Sequence, residues 1–99
     1  MSAYVIVDVE VTDAAAYEQY RRQTPATVAA YGGRFLVRGG STEVLEGDWT
    51  PHRLVVIEFA STDVARAWFD SPAYSAIKGI RHAAARSNLV IVEGVADAQ

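Results

Sequence analysis

The chain has 99 residues, 51% of them hydrophobic and 21% charged, with a formal charge of −3 and no cysteine. That size and mixture fit one globular domain over residues 1–99 and exclude disorder. The slight negative charge gives no electrostatic reason to expect nucleic acid or an anionic membrane. Without cysteine there is no disulfide, thiolate nucleophile or cysteine–metal site.

The first predicted element is a strand, Ala3–Val11, apolar on both alternating faces: Val5, Val7, Val9 and Val11 on one, Tyr4, Ile6 and Asp8 on the other. Thr12–Asp13 then starts a helix, with a capping hydroxyl followed by an acid in the first turn. Tyr17, Tyr20, Val28 and Tyr31 recur at helical spacing as a core stripe, and Gly32 is the stop. Pro25 interrupts or restarts this helix, with Thr24 as a local cap. Gly33–Arg38 reads as a second strand, with Phe35 and Val37 opposing Arg34, Leu36 and Arg38. A long connection, Gly39–His52, has a short strand as one option at Thr42–Leu45, and its length points to a functional or interface role.

The third strand is Arg53–Ala60, where Val55, Ile57 and Phe59 oppose Leu54, Val56 and Glu58. Ser61 or Thr62 caps a helix with the inner face Val64, Ala67 and Trp68. Ser71-Pro72 restarts helix, buried along Tyr74, Ile77, Ile80 and Ala84. Asn88–Val95 is the last strand and Ala96–Gln99 a loose tail. The order β-α-β-β-α-β is the split arrangement of ferredoxin-like folds, with both helical layers on one side of a four-stranded antiparallel sheet.

A strand with one wet side alternates cleanly between apolar and polar, and these do not. The predicted helix-covered positions are Val5/Val7/Val9, Phe35/Val37, Val55/Ile57/Phe59 and Val90/Val92. The open face then holds Tyr4, Ile6, Asp8, Arg34, Leu36, Arg38, Leu54, Val56, Glu58, Leu89, Ile91 and Glu93. Soluble monomers seldom expose so large an apolar patch, so a second copy of the chain is the expected cover. Asp8, Glu58 and Glu93 can compensate Arg34 and Arg38 as ion pairs, or the same charges can line a pocket for a small molecule. A simple hairpin register sets Glu58 near Arg34 and Arg38 near Leu54.

Several short sequences occur in order: Tyr17-x-x-Tyr20, Tyr31-Gly32-Gly33-Arg34-Phe35, Arg38-Gly39-Gly40, Glu46-Gly47, Val56-Ile57-Glu58-Phe59, Ser71-Pro72-x-Tyr74 and Arg86-Ser87. In this arrangement the chain resembles, from Tyr4 to Val95, the bacterial family called domain of unknown function thirteen-thirty, of the dimeric α+β barrel superfamily. The resemblance implies a ferredoxin-like protomer and a sheet-to-sheet homodimer. Superfamily relatives include cofactor-free monooxygenases, muconolactone isomerases, haem-binding chlorite dismutases and small stress-induced proteins, so fold alone fixes no chemistry. In the family pattern a histidine often stands near the end of the first strand, where this chain has Asp8.

Metal binding has little support, because His52 and His82 are isolated and lack ligand spacing. No histidine stands at a proximal position for haem, no nucleophile elbow or phosphate loop occurs, and no cofactor is expected. General acid–base chemistry remains. Asp8 or Glu58, in an apolar surround, would carry a raised pKa and move protons, with His82 as a second acid or base. His82 near a helix C-terminus would otherwise favour its protonated form. Arg38 would hold a carboxylate or enolate oxygen, and Tyr4, Arg34 and Tyr74 would complete the ligand-binding set. Trp49 would cap the cavity as a lid or pack on the partner subunit. The expectation is a cytoplasmic homodimer binding a small organic molecule between sheet and helices or partner, with cofactor-independent proton-transfer or oxygenase-type catalysis as one option. A non-catalytic structural or stress-associated dimer is the rival. No run approaches the ~20 apolar residues of a membrane span, and no secretory leader opens the chain.

Overall fold

A computed structural model describes residues 1–96. The elements are β1 (Ala3–Val11), α1 (Ala14–Ala29), β2 (Arg34–Arg38), β3 (Arg53–Phe59), α2 (Thr62–Phe69), α3 (Pro72–Ala84) and β4 (Ala85–Glu93). The four strands form one antiparallel sheet in the order β2-β3-β1-β4, the ferredoxin-like arrangement, with α2 and α3 dividing the second helical layer. Val5, Val7 and Val9 of β1 and Val55, Ile57 and Phe59 of β3 lie buried under the helices, as their period of two requires. Trp68 and Tyr74 anchor the other wall: their ring centroids stand 4.2 Å apart, and Phe59 lies 5.4 Å from Trp68. Such aromatic pairs dominate a core of this size.

Local chemistry sets the helix limits. Asp13 is itself the cap of α1, its carboxylate accepting from the Ala16 N–H, so the expected Thr12 cap with an acid in the first turn is displaced by one residue. Ser61 caps α2 and Ser71 caps α3, with Pro72 in the first turn. The buried positions of α2 are Ala65 and Trp68, and Ala67, expected inside, faces outward.

Pro25 does not divide α1, which runs unbroken through it. The proline has no N–H to give the Arg21 carbonyl four residues earlier. Arg38 Nη2 donates to that carbonyl instead, at 2.7 Å.

Three readings of the sheet need correction. β4 starts at Ala85 rather than Asn88, and its phase is the reverse of that expected: Leu89 and Ile91 pack on the core, while Val90 (55% exposed) and Val92 (44%) lie on the open face. A bulge in β2 passes over Leu36, since Phe35 pairs with Ile57 but Val37 with Val56. The extra residue flips the rest of the strand. Val37 therefore joins the open face, and Arg38, opposite Val55, turns toward the helices. Residues Thr42–Leu45 form no strand. Of the expected tail, residues 97–99 lie outside the described residues.

Candidate functional site

The open sheet face carries two polar clusters among apolar side chains. In the first, Asp8 accepts the Trp49 indole N–H at 2.9 Å and the His52 backbone N–H at 2.8 Å, and so ties the long loop to the middle of β1. In the second, Arg34 Nε donates to Glu58 at 2.7 Å and the Tyr4 hydroxyl to its other oxygen at 3.4 Å. The strand register makes this possible, because Glu58 stands opposite both Tyr4 and Arg34. Around these clusters lie Ile6, Leu54, Val56, Val90 and Val92. A wide concavity of about 480 Å³, lined by Val44, Leu45, Trp49, Pro51 and Leu54 among others, sits under the loop on this side.

The carboxylates here behave opposite to the sequence expectation. Partial burial pushes Asp8 up, but the Trp49 and His52 donors together outweigh it and leave the carboxyl below its ordinary value. The Arg34 hydrogen bond holds Glu58 down in the same way. Both groups are therefore stabilised as anions rather than poised as neutral acids.

The helix-covered face holds a different kind of site. Arg38, Arg53 and Arg81 converge there with Arg21, Tyr17, Tyr20 and Thr24 around an enclosed space of about 20 Å³, enough for one water. Of these, Arg21 alone has a carboxylate partner among the described residues, Glu18, held through two 2.8 Å hydrogen bonds. Arg81, 3% exposed, donates to the Tyr74 hydroxyl at 3.4 Å and to Ser87 Oγ. Tyr74 in turn shares a 2.7 Å hydrogen bond with Tyr20, whose hydroxyl is pushed well above its ordinary pKa by burial and by that neighbour. Arg53 stacks 5.9 Å from the Tyr17 ring centroid, and its Nε is buried with no hydrogen-bond partner among the described residues. Desolvation, then the charges of Arg21 and Arg53, lower the pKa of Arg38.

Backbone geometry makes room for this cluster. Gly39 has φ +76°, and a Cβ there would fall within the Arg53 guanidinium. The bulge at Leu36 sends Arg38 inward, and the missing proton of Pro25 gives it an acceptor.

Thus the structure joins Tyr4, Arg34 and Glu58, and separately Asp8 and Trp49, on the open face. It places Arg38 and Tyr74 on the opposite side of the sheet, in the arginine–tyrosine cluster. His82 joins neither group: it is exposed on α3, and partial desolvation, then Arg81 and Lys78, lower its pKa, contrary to the protonated form expected at a helix end. Arg53, Arg81, Tyr17 and Tyr20 were not foreseen as site residues. Their signal was present: Arg53 shares the strand phase of Val55, Ile57 and Phe59, and Arg81 the helical phase of Tyr74, Ile77 and Ala84. Among the described residues no group of three His, Asp or Glu converges as a metal site, and no helix is long and apolar enough to cross a membrane.

Solved structures of similar fold are informative about architecture. A protein of unknown function from Rhodopseudomonas palustris superposes with a TM-score of 0.78 at 19% identity, over 96% of this chain and 83% of its own. A dimeric ferredoxin-like protein of unknown function from Jannaschia gives 0.72 at 16% identity, over 95% and 100%. SnoaB, a cofactor-independent oxygenase from Streptomyces nogalater, gives 0.66 at 16% identity, over 96% and 94%. At these identities the likeness concerns the fold alone. No curated protein matches the sequence. The model of the family described as Domain of unknown function (DUF1330) matches residues 2–95, and this ferredoxin-like chain belongs to that family.

Proposed function

We propose that two copies of this chain pair through the helix-free faces of their sheets, and that each protomer binds a small organic molecule between its own sheet and helices. The observation that carries the binding reading is the arginine–tyrosine cluster. Three guanidiniums, one buried and two half-buried, stand beside an apolar core with no carboxylate within ion-pair distance among the described residues, and desolvated charge without counter-charge is costly. The pairing reading is supported by the exposure of Val90, Val92, Leu36 and Val37 on one face, and by the dimeric state of the Jannaschia relative.

The cluster contains no carboxylate or imidazole, so it is built to bind and polarise rather than to abstract a proton. A chemistry that suits it is stabilisation of an enolate or phenolate oxygen whose proton passes to water, after which the anion gives its electrons to dioxygen and forms a new C–O bond, as in cofactor-independent oxygenation. Guanidiniums fixed before reaction stabilise such charge without reorganising. Asp8 and Glu58, on the other face, would fix loop and register at the dimer interface. His82 has no part in this reading.

Methyl-labelled protein titrated with aromatic and lactone-like acids and esters tests the binding site. Shifts centred on Val7, Val55 and Leu89, which line the cavity, are the expected result. Shifts confined to the 42–51 loop would move the binding site to the open-face concavity and overturn the inner site, and none across the library would favour the rival reading of a structural dimer with no ligand.

A further inference from the structure

Resting on that reading, we propose that the inner site selects an oxyanion: an unsaturated or aromatic carboxylate whose charged end is held by Arg53, Arg38 and Arg81. Charge balance is the first reason. Arg34 has Glu58, Arg66 has Asp70, and Arg21 has Glu18. Arg38, Arg53 and Arg81 have no carboxylate within ion-pair distance among the described residues, although the chain carries more acids than bases. Arg38, Arg53 and Arg81 line a single cavity, whereas Lys78 and Arg86, the other cations without a carboxylate among the described residues, do not line it. A guanidinium stays charged under all ordinary conditions, so the like charges cannot relax by losing a proton. An anion between them removes the repulsion that Arg38 already feels from Arg53 and Arg21.

Hydrogen-bond capacity is the second reason. Arg53 Nε is the one buried side-chain nitrogen or oxygen without a partner among the described residues, and an unused buried donor is destabilising. Arg38 uses one protein acceptor, the Arg21 carbonyl. A carboxylate offers two oxygens to planar forks of this kind. The rest of the lining is apolar or aromatic, with Val7, Val55, Leu89 and the Tyr17 ring, which matches a flat hydrophobic body behind the charged end.

Size sets the route. The enclosed space has room for about one water-sized group, so the charged oxygen takes it and the body of the ligand lies toward the mouth of the cavity. Arg21 and Arg38, both half-exposed, stand at the mouth.

Benzoate and benzamide are paired probes of one shape and different charge, and acetate and inorganic phosphate test the anion site without a hydrophobic body. Calorimetric titration at constant ionic strength is expected to show benzoate binding about tenfold or more tighter than benzamide, from the charge-assisted hydrogen bonds. Arg53→Met is expected to abolish that preference while keeping the thermal midpoint of the ligand-free protein at or above wild type, because it removes an unpaired buried charge. Arg34→Met, on the open face, is expected to leave benzoate affinity unchanged. Equal affinity for benzoate and benzamide would overturn the anion inference and leave the binding reading standing. Binding of phosphate or acetate with no aromatic ligand would overturn both, leaving a small-anion site without an organic ligand. An Arg53→Met protein that keeps the preference, or no response to any of the four probes, would overturn the inference.

Discussion

Arg34 and Arg53 lie on the two faces of the same sheet, and their surroundings differ in kind. Arg34 is open to water and still has a carboxylate at 2.7 Å, backed by the Tyr4 hydroxyl. Arg53 is half-buried with its Nε shielded from water, lines the cavity with two other buried or half-buried arginines, and has no carboxylate within ion-pair distance among the described residues. Solvent would forgive an unpaired charge on the open face and does not on the inner one. The protein compensates where compensation matters least and omits it where it matters most. A structural role is proposed for the open face, and an anion from outside for the inner one.

The largest expected effect lies on the open face. Val90→Glu, at an exposed position beside Ile6, places a charge where the second copy is proposed to pack. Self-association should weaken by about 100-fold or more, read by sedimentation, with far-ultraviolet circular dichroism unchanged. A lone wild-type subunit at micromolar concentration would break this half of the comparison.

Tyr74→Phe comes next. Removing the hydroxyl leaves Tyr20 and Arg81 each short of one partner in a buried site. The loss should be about 1–3 kcal/mol in urea unfolding. A change near zero would mean that water already serves these groups. Asp8→Asn should cost less, about 1–2 kcal/mol, because one charge-assisted acceptor of two N–H groups becomes neutral. Its diagnostic is the emission of Trp49, which should shift red as the indole is released.

Acid unfolding gives the smallest effect. Glu18 is lowered from 4.5 to about 2, chiefly by its hydrogen bond to Arg21. A depressed carboxyl contributes stability that is fully present above its unfolded value and lost as pH falls through the folded one. Glu18→Gln should therefore flatten the stability profile between about pH 4.5 and 2 by slightly lowering stability above pH 4.5, with nearly no change below pH 2. An unchanged acid limb would assign that slope to Asp8 and Glu58, whose folded pKa values also lie below their ordinary ones.

The element order, the antiparallel sheet and the Glu58–Arg34 pair were legible in the sequence because each follows from period, caps and hairpin register. The phase of β4 was not, since Leu89, Val90, Ile91 and Val92 are apolar without alternation and either face satisfies them. The bulge at Leu36 left no local mark, and one inserted residue was enough to carry Arg38 to the other side of the sheet. The inner cluster escaped notice for another reason. Tyr17 and Tyr20 read as a core stripe, which they are, and a charged residue in a buried phase is usually discounted rather than counted. Arg53 and Arg81 show that a buried phase occupied by arginine is itself a signal.

The central claim is that the inner arginines await an anion, and the Arg53 Nε–H resonance tests it most directly. Nitrogen-15 correlation spectra recorded during addition of benzoate should show that signal moving and its exchange with water slowing, while the Arg34 Nε–H signal stays in place. A stationary Arg53 signal through saturating benzoate, or equal movement of Arg34, would contradict the account.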